Sequence, residues 1–356
     1  MGGIIGCFGA FDSCKAAATK TRNPRPDGHE FVDTSNVKQL SYNSLRSATR
    51  NFHPENKIGG GGFRVVYKGV LRGDEIDVAI KCLSAESKQG TSEFLTEINT
   101  ISRISRHPNL VQLIACCVED GNRILVYEYL NNNSLATAIH SSRIQLDWVT
   151  RAGICKGTAA GLVYLHEEAV IHRDIKPSNV LLDGNFGPKI GDFGLAKLFP
   201  DNVTHISTRV AGTAFGVLML EVISGRSSSK AAFGEDLLSL VEWVWKLKDE
   251  ERLVDIVDPD LTDYPNAEVT RFITIALFCT QAKANQRPSM KQVFEMLSKT
   301  TVKLNVSLLT EPGIYRRALS SSSKSLETTS SRGVNPFITT SPQVTTSYST
   351  SQMFPR

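Results

Sequence analysis

The stretch I-H-R-D-I-K-P-S-N-V-L-L-D-G-N-F-G-P-K-I-G-D-F-G-L, residues 171–195, decides the fold of this chain. Four of its polar residues have the types and the spacing that phosphoryl transfer from a nucleotide requires. They are Asp174, Lys176, Asn179 and Asp192. The apolar residues after Asn179 predict a short buried strand, and Asp-Gly-Asn predicts a turn into a second strand. Asp192 would then bind a metal ion directly after that second strand.

The motifs H-R-D-x-K-P-x-N at 172–179 and D-F-G at 192–194 resemble those of the eukaryotic protein kinases. A lysine two residues after the aspartate of the first motif is typical of the serine/threonine kinases. The resemblance implies an α+β fold of two lobes, with a small β-rich lobe followed by a larger helical lobe. It also implies ATP and Mg²⁺ as cofactors and proteins as substrates.

The resemblance assigns a role to each polar residue of these motifs. Asp174 would accept or orient the hydroxyl group of the substrate, and Lys176 would neutralise charge on the transferred phosphoryl group. Asn179 and Asp192 would hold Mg²⁺. Transfer of the γ-phosphoryl group of ATP to serine or threonine, in a signalling role, is therefore the expected activity.

A glycine-rich run, I-G-G-G-G-F-R-V-V-Y-K-G at 58–69, lies between two strand-like segments. Closely spaced glycines let backbone N–H groups approach phosphate oxygens without obstruction by side chains. In the family pattern G-x-G-x-x-G-x-V the third glycine is replaced by Arg64, which stiffens the loop and adds a cation near the triphosphate. The effect of Arg64 on nucleotide affinity can have either sign. The expected nucleotide-binding residues are Ile58, Gly59, Gly60, Gly61, Gly62, Val66, Ala79, Lys81, Glu128 and Leu130.

The segment V-A-I-K at 78–81 predicts a buried strand that ends in Lys81. Residues from about 92 to 105 predict an amphipathic helix with Ser92 as its N-cap, and Glu97 lies on the apolar face of that helix. A carboxylate on a buried face needs a cationic partner, so we expect Glu97 to pair with Lys81. In the kinases this pair positions the α- and β-phosphates, which places both residues in the catalytic set. The alternative is a surface glutamate at the helix edge.

Several longer phrases narrow the resemblance to the plant receptor-like kinases, and within them to cytoplasmic members without an ectodomain. They are R-I-L-V-Y-E-Y-L-N-N-N-S-L at 123–135, L-V-Y-L-H-E-E at 162–168 and F-P-D-N-V-T-H-I-S-T-R-V-A-G-T at 199–213. In such kinases Tyr127 is the gatekeeper, and the backbone from Glu128 to Leu130 binds adenine. An upstream receptor kinase is then the expected partner, and the cytoplasm is the expected location.

The composition agrees with a two-lobed cytoplasmic enzyme. The 356 residues suit one unit of about 250–300 residues with flanking segments. The net charge of +4 is mild and the basic residues are dispersed, which argues against nucleic-acid binding. The 7 cysteines show no disulfide framework and are expected to be reduced. No apolar run reaches the roughly 18 residues of a membrane span.

The chain divides into an N-terminal segment (1–50), a small lobe (51–127), a large lobe (128–300) and a Ser/Thr-rich tail (301–356). The tail has too few apolar residues to fold and is expected to be disordered. In the N-terminal segment, lipidation of Gly2, Cys7 or Cys14 could bring the chain to the inner face of the plasma membrane. A disordered segment without lipid is the open alternative.

The chain departs from the family pattern where A-G-T (211–213) runs directly into A-F-G-V-L-M-L-E-V-I-S-G (214–225). About 20 residues of the pattern are absent at this join, including the substrate-docking loop, the A-P-E motif and the start of a central helix. Arg287 is expected to lack its acidic partner, because that partner belongs to the absent block. The remaining helix would end at Ser224-Gly225, where glycine suits a C-cap.

The join leaves the large lobe with two poor arrangements. Moving the central helix toward Thr213 would open voids in the core, whereas leaving it in place would draw the activation segment away from Asp174. The candidate phosphorylation sites of that segment are Ser207, Thr208 and Thr213, and Arg173 is the cation that would pair with a phosphate. Three functions stay open: a protein serine/threonine kinase, a catalytically impaired nucleotide-binding scaffold or dominant-negative splice form, and a poorly folding product of exon loss or of an incorrect gene model.

Overall fold

The first lobe is built on a five-stranded antiparallel sheet with the strand order β1-β2-β3-β5-β4. The structure, a computed structural model, describes residues 37–62, 64–73, 75–84, 87–119, 121–141, 144–199, 209–228 and 239–310. The strands are β1 (Lys57–Gly61), β2 (Arg64–Leu71), β3 (Ile76–Leu83), β4 (Leu113–Glu119) and β5 (Asn122–Glu128). Side chains alternate along each strand, so the sheet buries apolar residues on both faces.

One helix covers each face of this sheet. The first, α1 (Tyr42–Ala48), buries Leu45 completely in the cluster that contains Val78 and Ile80. The second, α2 (Lys88–Ile101), packs Phe94 on the opposite face. The small lobe was predicted to begin at residue 51, but α1 belongs to it. The lobe therefore begins earlier than predicted, because a helix this short carries only a weak apolar pattern.

The start of α2 also differs from the prediction. The helix begins at Lys88, and its N-cap is Ser87, whose hydroxyl accepts the N–H of Gly90 at 3.3 Å. Ser92 lies inside the helix and is not the cap. A glycine in the first turn weakens a helical pattern, but a Cβ at Gly90 would lie 2.5 Å from the backbone oxygen of Ser84. Close packing therefore requires this glycine. The helix also ends earlier than the predicted residue 105.

The second lobe is helical, and its helices pack around one continuous apolar core. Its helices are α3 (Leu135–His140), α4 (Trp148–Glu167), α5 (Arg209–Ser224), α6 (Leu240–Asp249), α7 (Asn266–Cys279) and α8 (Met290–Ser298). The core combines residues of α4, α5, α7 and α8, such as Ile154, Leu218, Phe272 and Val293. The predicted α+β architecture of a β-rich lobe and a helical lobe is confirmed.

Two short two-stranded antiparallel sheets carry the polar motifs of residues 171–195. They pair β6 (Val170–Ile171) with β9 (Lys197–Leu198) and β7 (Val180–Leu182) with β8 (Pro188–Ile190). In the turn between β7 and β8, Oδ1 of Asp183 accepts the N–H groups of Asn185 at 2.9 Å and Gly187 at 2.8 Å. The predicted arrangement of strand, turn and strand is therefore present.

Helix α5 shows how the chain accommodates the abrupt join at residues 213–214. The helix runs without a break through the join, so residues 211–213 form part of its first turns. Phe215 and Leu218 are fully buried in the core of the lobe. The helix ends as predicted before Gly225, whose φ of 66° suits glycine. The helix is therefore packed in the core, and residues 211–213, which the family pattern assigns to the activation segment, lie within it.

Arg287, which was predicted to lack its acidic partner, donates hydrogen bonds to backbone oxygens. Its Nε donates to the backbone oxygen of Gln281 at 2.6 Å, and its Nη2 donates to that of Ala282 at 3.0 Å. These carbonyls lie in the segment that follows α7. Backbone oxygens therefore accept from the guanidinium whose acidic partner was expected to be absent.

The large lobe extends to residue 310, past its predicted end at 300. Leu304 and Leu309 pack against the core of the lobe, and the N–H of Thr310 donates to Oε1 of Gln281 at 2.9 Å. In the described ranges, no helix is long and apolar enough to cross a membrane. The described cysteines are free, as predicted: Cys82, Cys116, Cys117, Cys155 and Cys279.

Candidate active site

A cleft of about 420 Å³ opens between the two lobes. It receives residues from β1, β2 and β3, from the segment after β5, and from the motifs that surround β7 and β8. Eight of the ten predicted nucleotide-binding residues line it: Ile58, Gly59, Gly60, Val66, Ala79, Lys81, Glu128 and Leu130. The other two, Gly61 and Gly62, line an adjoining cavity of about 210 Å³ together with Asp174 and Asp192.

The segment after β5 offers a backbone donor to this cleft. The Glu128 carboxylate accepts from the N–H of Gln112 at 2.8 Å and from Nζ of Lys189 at 2.9 Å, which fixes the segment to both lobes. The N–H of Glu128 is used, because it donates to Gln112 at 3.1 Å. Among the described residues, none accepts the N–H of Leu130, which lines the cleft. A flat heterocycle such as adenine can accept this N–H.

Lys81 and Glu97 form the buried ion pair that the sequence predicts. Nζ of Lys81 lies 2.7 Å from Oε2 of Glu97, and the two side chains are only 7% and 1% exposed. Burial by itself lowers the pKa of Lys81, but the carboxylates of Glu97 and Asp192 outweigh burial and raise this pKa, so the amine stays charged.

The Tyr127 hydroxyl donates a hydrogen bond to the second oxygen of Glu97. Burial, and then the charge of Glu97, raise the pKa of Tyr127 well above its ordinary value, so the hydroxyl keeps its proton. Glu97 is therefore fixed by an amine on one oxygen and by a hydroxyl on the other. A fixed Glu97 in turn fixes Lys81, which points into the cleft.

Asp192 has a left-handed backbone conformation, with a φ of 63°, that residues other than glycine adopt rarely. Its Oδ1 lies 2.9 Å from Nζ of Lys81, and its Oδ2 forms an ion pair with the guanidinium of Arg64. Burial raises the pKa of Asp192, but Lys81 and Arg64 outweigh burial and lower it to about 2. Phe193 follows, fully buried, with its ring centroid 5.0 Å from that of His172. Strain of this kind is common at functional sites.

The catalytic loop brings Asp174, Lys176 and Asn179 together. Nζ of Lys176 lies 2.7 Å from Oδ2 of Asp174. The amide nitrogen of Asn179 donates to the backbone oxygen and to Oδ2 of Asp174, both at 2.8 Å. His172 anchors the loop by a hydrogen bond of 2.9 Å to the backbone oxygen of Gly191, and burial lowers the pKa of this histidine, which keeps it neutral. The Asp174 carboxylate is therefore held by a cation and an amide.

Asn179 and Asp192 present the oxygens that a hard divalent cation prefers. Both residues line the cleft, and because the amide nitrogen of Asn179 is used by Asp174, its amide oxygen remains for a metal. Two protein ligands suit Mg²⁺, which usually completes its shell with phosphates and water. Within the part of the chain that is described, no group of three or more His, Cys, Asp or Glu side chains forms a metal site.

The candidate phosphorylation sites are not brought to the cleft. Ser207 and Thr208 lie outside the described residues. Thr213 lies in α5, and its hydroxyl oxygen is buried without a hydrogen-bond partner among the described residues, which argues against its prediction as a phosphorylation site. Nε of Arg173 donates to the backbone oxygen of Leu195 at 2.6 Å. The predicted lipidation residues also lie outside the described residues: Gly2, Cys7 and Cys14.

The sequence analysis did not predict the roles of two residues in the cleft, Leu181 and Arg64. Leu181 lines the cleft, while its neighbours Val180 and Leu182 are buried in the large lobe. The signal was the alternation of a three-residue strand, which turns its middle side chain to the other face. The contact between Arg64 and Asp192 had no such signal, since 128 residues separate the two.

The protein kinase domain family matches residues 52–297, a range that includes every residue of the cleft described above. The chain therefore belongs to the protein kinase family. Kinases of this family use ATP and a divalent metal ion, which agrees with the pair of oxygen ligands in the cleft.

Known relatives show the kind of kinase. Over 299 residues the chain is 48% identical to Cold-responsive protein kinase 1 of Arabidopsis thaliana, and the match covers 76% of each chain. It is 45% identical over 306 residues to a probable LRR receptor-like serine/threonine-protein kinase of the same plant, and 48% identical over 281 residues to a second one. These matches cover 78% and 71% of this chain but only 29% and 27% of the two receptors. The chain is a protein serine/threonine kinase, a transferase similar to plant receptor-like kinases.

Proposed function

We propose that this serine/threonine kinase binds Mg-ATP in the cleft but transfers the phosphoryl group to protein substrates slowly. The groups that would bind the nucleotide are all in place, whereas the segment that would hold a protein substrate is short. The observation that carries the second statement is the start of α5 at Arg209.

The proposed nucleotide contacts use groups whose positions are already fixed. Lys81, held by Glu97, would bind the α- and β-phosphates. The N–H of Leu130 would bind the edge of adenine. Asn179 and Asp192 would hold Mg²⁺, which neutralises phosphate charge when it is bound. The glycines of β1 and of the following turn would cover the phosphates with their N–H groups.

The proposed transfer step depends on the catalytic loop. The Asp174 carboxylate, oriented by Lys176 and Asn179, would orient the hydroxyl of a serine or threonine and accept its proton. As the bond from that oxygen to the γ-phosphorus forms, the bond between the γ-phosphorus and the leaving ADP breaks. The ammonium group of Lys176 would stabilise the negative charge of the transferred group.

The connection from β9 to α5 supports slow transfer to proteins. The residues between Leu198 and Arg209 number ten, 199–208. At β9 the chain still lies beside the catalytic loop, because Val170 pairs with Leu198. Ten residues must therefore form the whole connection that, in the family pattern, also contains a substrate-docking loop. A displacement of about 1 Å in a reacting group already costs roughly a hundredfold in rate.

The same connection favours a second function, that of a nucleotide-binding scaffold that occupies the partners of intact relatives. The large lobe has a packed apolar core, so the chain can present a folded surface to such partners. We further propose an upstream receptor kinase as a partner, since two of the relatives are receptor-like kinases. Contact with the plasma membrane through lipidated Gly2, Cys7 or Cys14 is proposed on the sequence alone.

Two measurements test the two parts of the proposal. In calorimetry with Mg²⁺ and ATP, wild type should bind and Lys81→Met should not, while circular dichroism confirms that both are folded. Equal heats from the two folded proteins would contradict nucleotide binding in the cleft. In a phosphorylation assay with phosphatase-treated protein and a generic serine/threonine peptide, transfer should be slow. A rate typical of kinases that is lost in Asp174→Ala would contradict the second part.

A further inference from the structure

Arg64 brings an additional cation into the nucleotide cleft. It is the first residue of β2 and pairs with Gly61 across the glycine-rich turn. Its side chain lines both the cleft and the adjoining cavity of about 210 Å³. Its guanidinium forms an ion pair with Oδ2 of Asp192, and the two side chains are 34% and 17% exposed. The glycine of the family pattern has no side chain that could make this contact.

Both oxygens of the Asp192 carboxylate therefore face a cation. Lys81 takes Oδ1 at 2.9 Å, and Arg64 takes Oδ2. The two cations balance the charges of Glu97 and Asp192, so this network is neutral without a metal ion. A divalent cation at Asp192 must break a charge-assisted hydrogen bond, which is roughly twice as strong as a neutral one. It must also overcome its repulsion of the guanidinium.

Other acidic side chains lie near Arg64. The adjoining cavity is lined by Arg64 together with Glu93 and Asp174, two carboxylates that attract a guanidinium. From this cavity the guanidinium can still reach toward phosphates in the cleft, since it lines both spaces. A guanidinium is always charged and presents several N–H groups in a plane, so it can bind a carboxylate and a phosphate at once.

We propose that Arg64 takes the place of a divalent cation beside Asp192. It competes with the metal ion for the carboxylate and supplies positive charge to the nucleotide phosphates when metal is scarce. This kinase therefore binds ATP with a weak dependence on divalent cations. The inference rests on the proposed binding of ATP in the cleft.

The test compares ATP affinity at several concentrations of free Mg²⁺, starting from EDTA, by calorimetry. Four proteins are compared: wild type, Arg64→Gln, Arg64→Gly and Arg72→Gln. Arg64→Gln removes the charge and keeps a long side chain, whereas Arg64→Gly also restores loop freedom. Arg72→Gln removes one positive charge from the exposed turn between β2 and β3 and serves as the matched control.

In EDTA we expect the ATP affinity of both Arg64 variants to be about tenfold lower than that of wild type, as removal of one charge-assisted contact implies. In millimolar Mg²⁺ their affinity should recover, so that their dependence on Mg²⁺ is steeper than that of wild type. Arg72→Gln should follow wild type at every Mg²⁺ concentration. The same slope for all four proteins would overturn the proposal, as would a flatter slope in the Arg64 variants.

A metal titration separates this inference from the proposed function. Mn²⁺ binding without nucleotide, followed by electron paramagnetic resonance, should be severalfold tighter in Arg64→Gln than in wild type or Arg72→Gln. If wild type binds no ATP with or without Mg²⁺, the proposed function fails, and the Mn²⁺ result alone decides about Arg64. Equal Mn²⁺ affinity in the three proteins would show that Arg64 does not compete for Asp192.

Discussion

The nucleotide side and the substrate side of this kinase are preserved to different degrees. On the nucleotide side, Lys81, Glu97 and Asp192 form one ion-pair network with distances of 2.7 and 2.9 Å. On the substrate side, the chain passes from β9 to α5 within residues 199–208. The first side is built by the sheet, α2 and the catalytic loop, and the second by one connecting segment. The two sides can therefore be lost separately, because different elements build them.

The large lobe keeps its core although the substrate side is shortened. Residues 211–213 lie within the N-terminal turns of α5, and apolar residues of this helix such as Phe215 and Leu218 are fully buried. Arg287 donates to backbone oxygens in the segment that follows α7. Burial of the apolar residues of this helix stabilises the lobe.

The largest expected effect comes from restoring the substrate side. Inserting the corresponding block of about 20 residues from a relative after Thr213 should raise the rate of peptide phosphorylation by about a thousandfold or more, because the substrate is then aligned with Asp174. The melting temperature should also rise. The rate is measured on phosphatase-treated protein with saturating Mg-ATP, and the melting temperature by circular dichroism.

An insertion of equal length made of glycine and serine is the control, since it lengthens the connection without supplying a docking surface. It should leave the rate near that of wild type. If the relative's block and the control raise the rate equally, chain length alone limits the reaction. If neither insertion raises the rate, slow transfer is caused by the nucleotide side and not by the substrate side.

The ion-pair network predicts a specific loss of stability in acid. Because the folded pKa of Asp192 is about 2 and its ordinary value is 3.8, its ionised form stabilises the fold at pH values above about 4. This contribution, about 2 kcal/mol, should be lost as the pH falls from about 4 to about 2. Urea denaturation at a series of pH values should therefore show a steeper decline for wild type than for Asp192→Asn. Parallel curves would mean that the network does not lower this pKa.

Two glycine-to-alanine variants, one at a closely packed position and one at an open position, test the packing of the large lobe. A Cβ at Gly216 in α5 would lie 2.7 Å from Cβ of Cys279, so Gly216→Ala should reduce the free energy of unfolding by about 1–3 kcal/mol. Gly153 lies on the open side of α4 with nothing within 4 Å, so Gly153→Ala should increase it by up to about 1 kcal/mol. Chemical denaturation measures both. A neutral Gly216→Ala would show that α5 and α7 are loosely packed.

Much of the cleft could be predicted because its residues stand close together in sequence motifs. The catalytic loop, Asp192 and the glycine-rich run each occupy one short segment, and the structure places them around one cleft. The pairing of Lys81 with Glu97 also followed from the sequence, since a carboxylate on the apolar face of a helix needs a cation. The catalytic roles assigned to these residues of the cleft stay predictions until the variants are measured.

Features that depend on the detailed approach of backbone groups could not be predicted in this way. Gly90 hid the start of α2 at Lys88, because propensity disfavours glycine in a helix and the close approach of Gly90 to Ser84 is seen only in the folded chain. The acceptors of Arg287 are backbone oxygens, which every residue offers and which a sequence therefore does not single out.

The sequence by itself determined the family, the two-lobed architecture and the inventory of charged groups in the cleft, because motif spacing and apolar periodicity are local properties. Only the tertiary structure decided what became of the join at residues 213–214 and which carboxylate Arg64 binds. The join was resolved by the burial of α5, a cooperative property of the whole lobe. The partner of Arg64 was set by the distance between β2 and Asp192, which are separated by more than a hundred residues of chain and meet only when the lobes fold together.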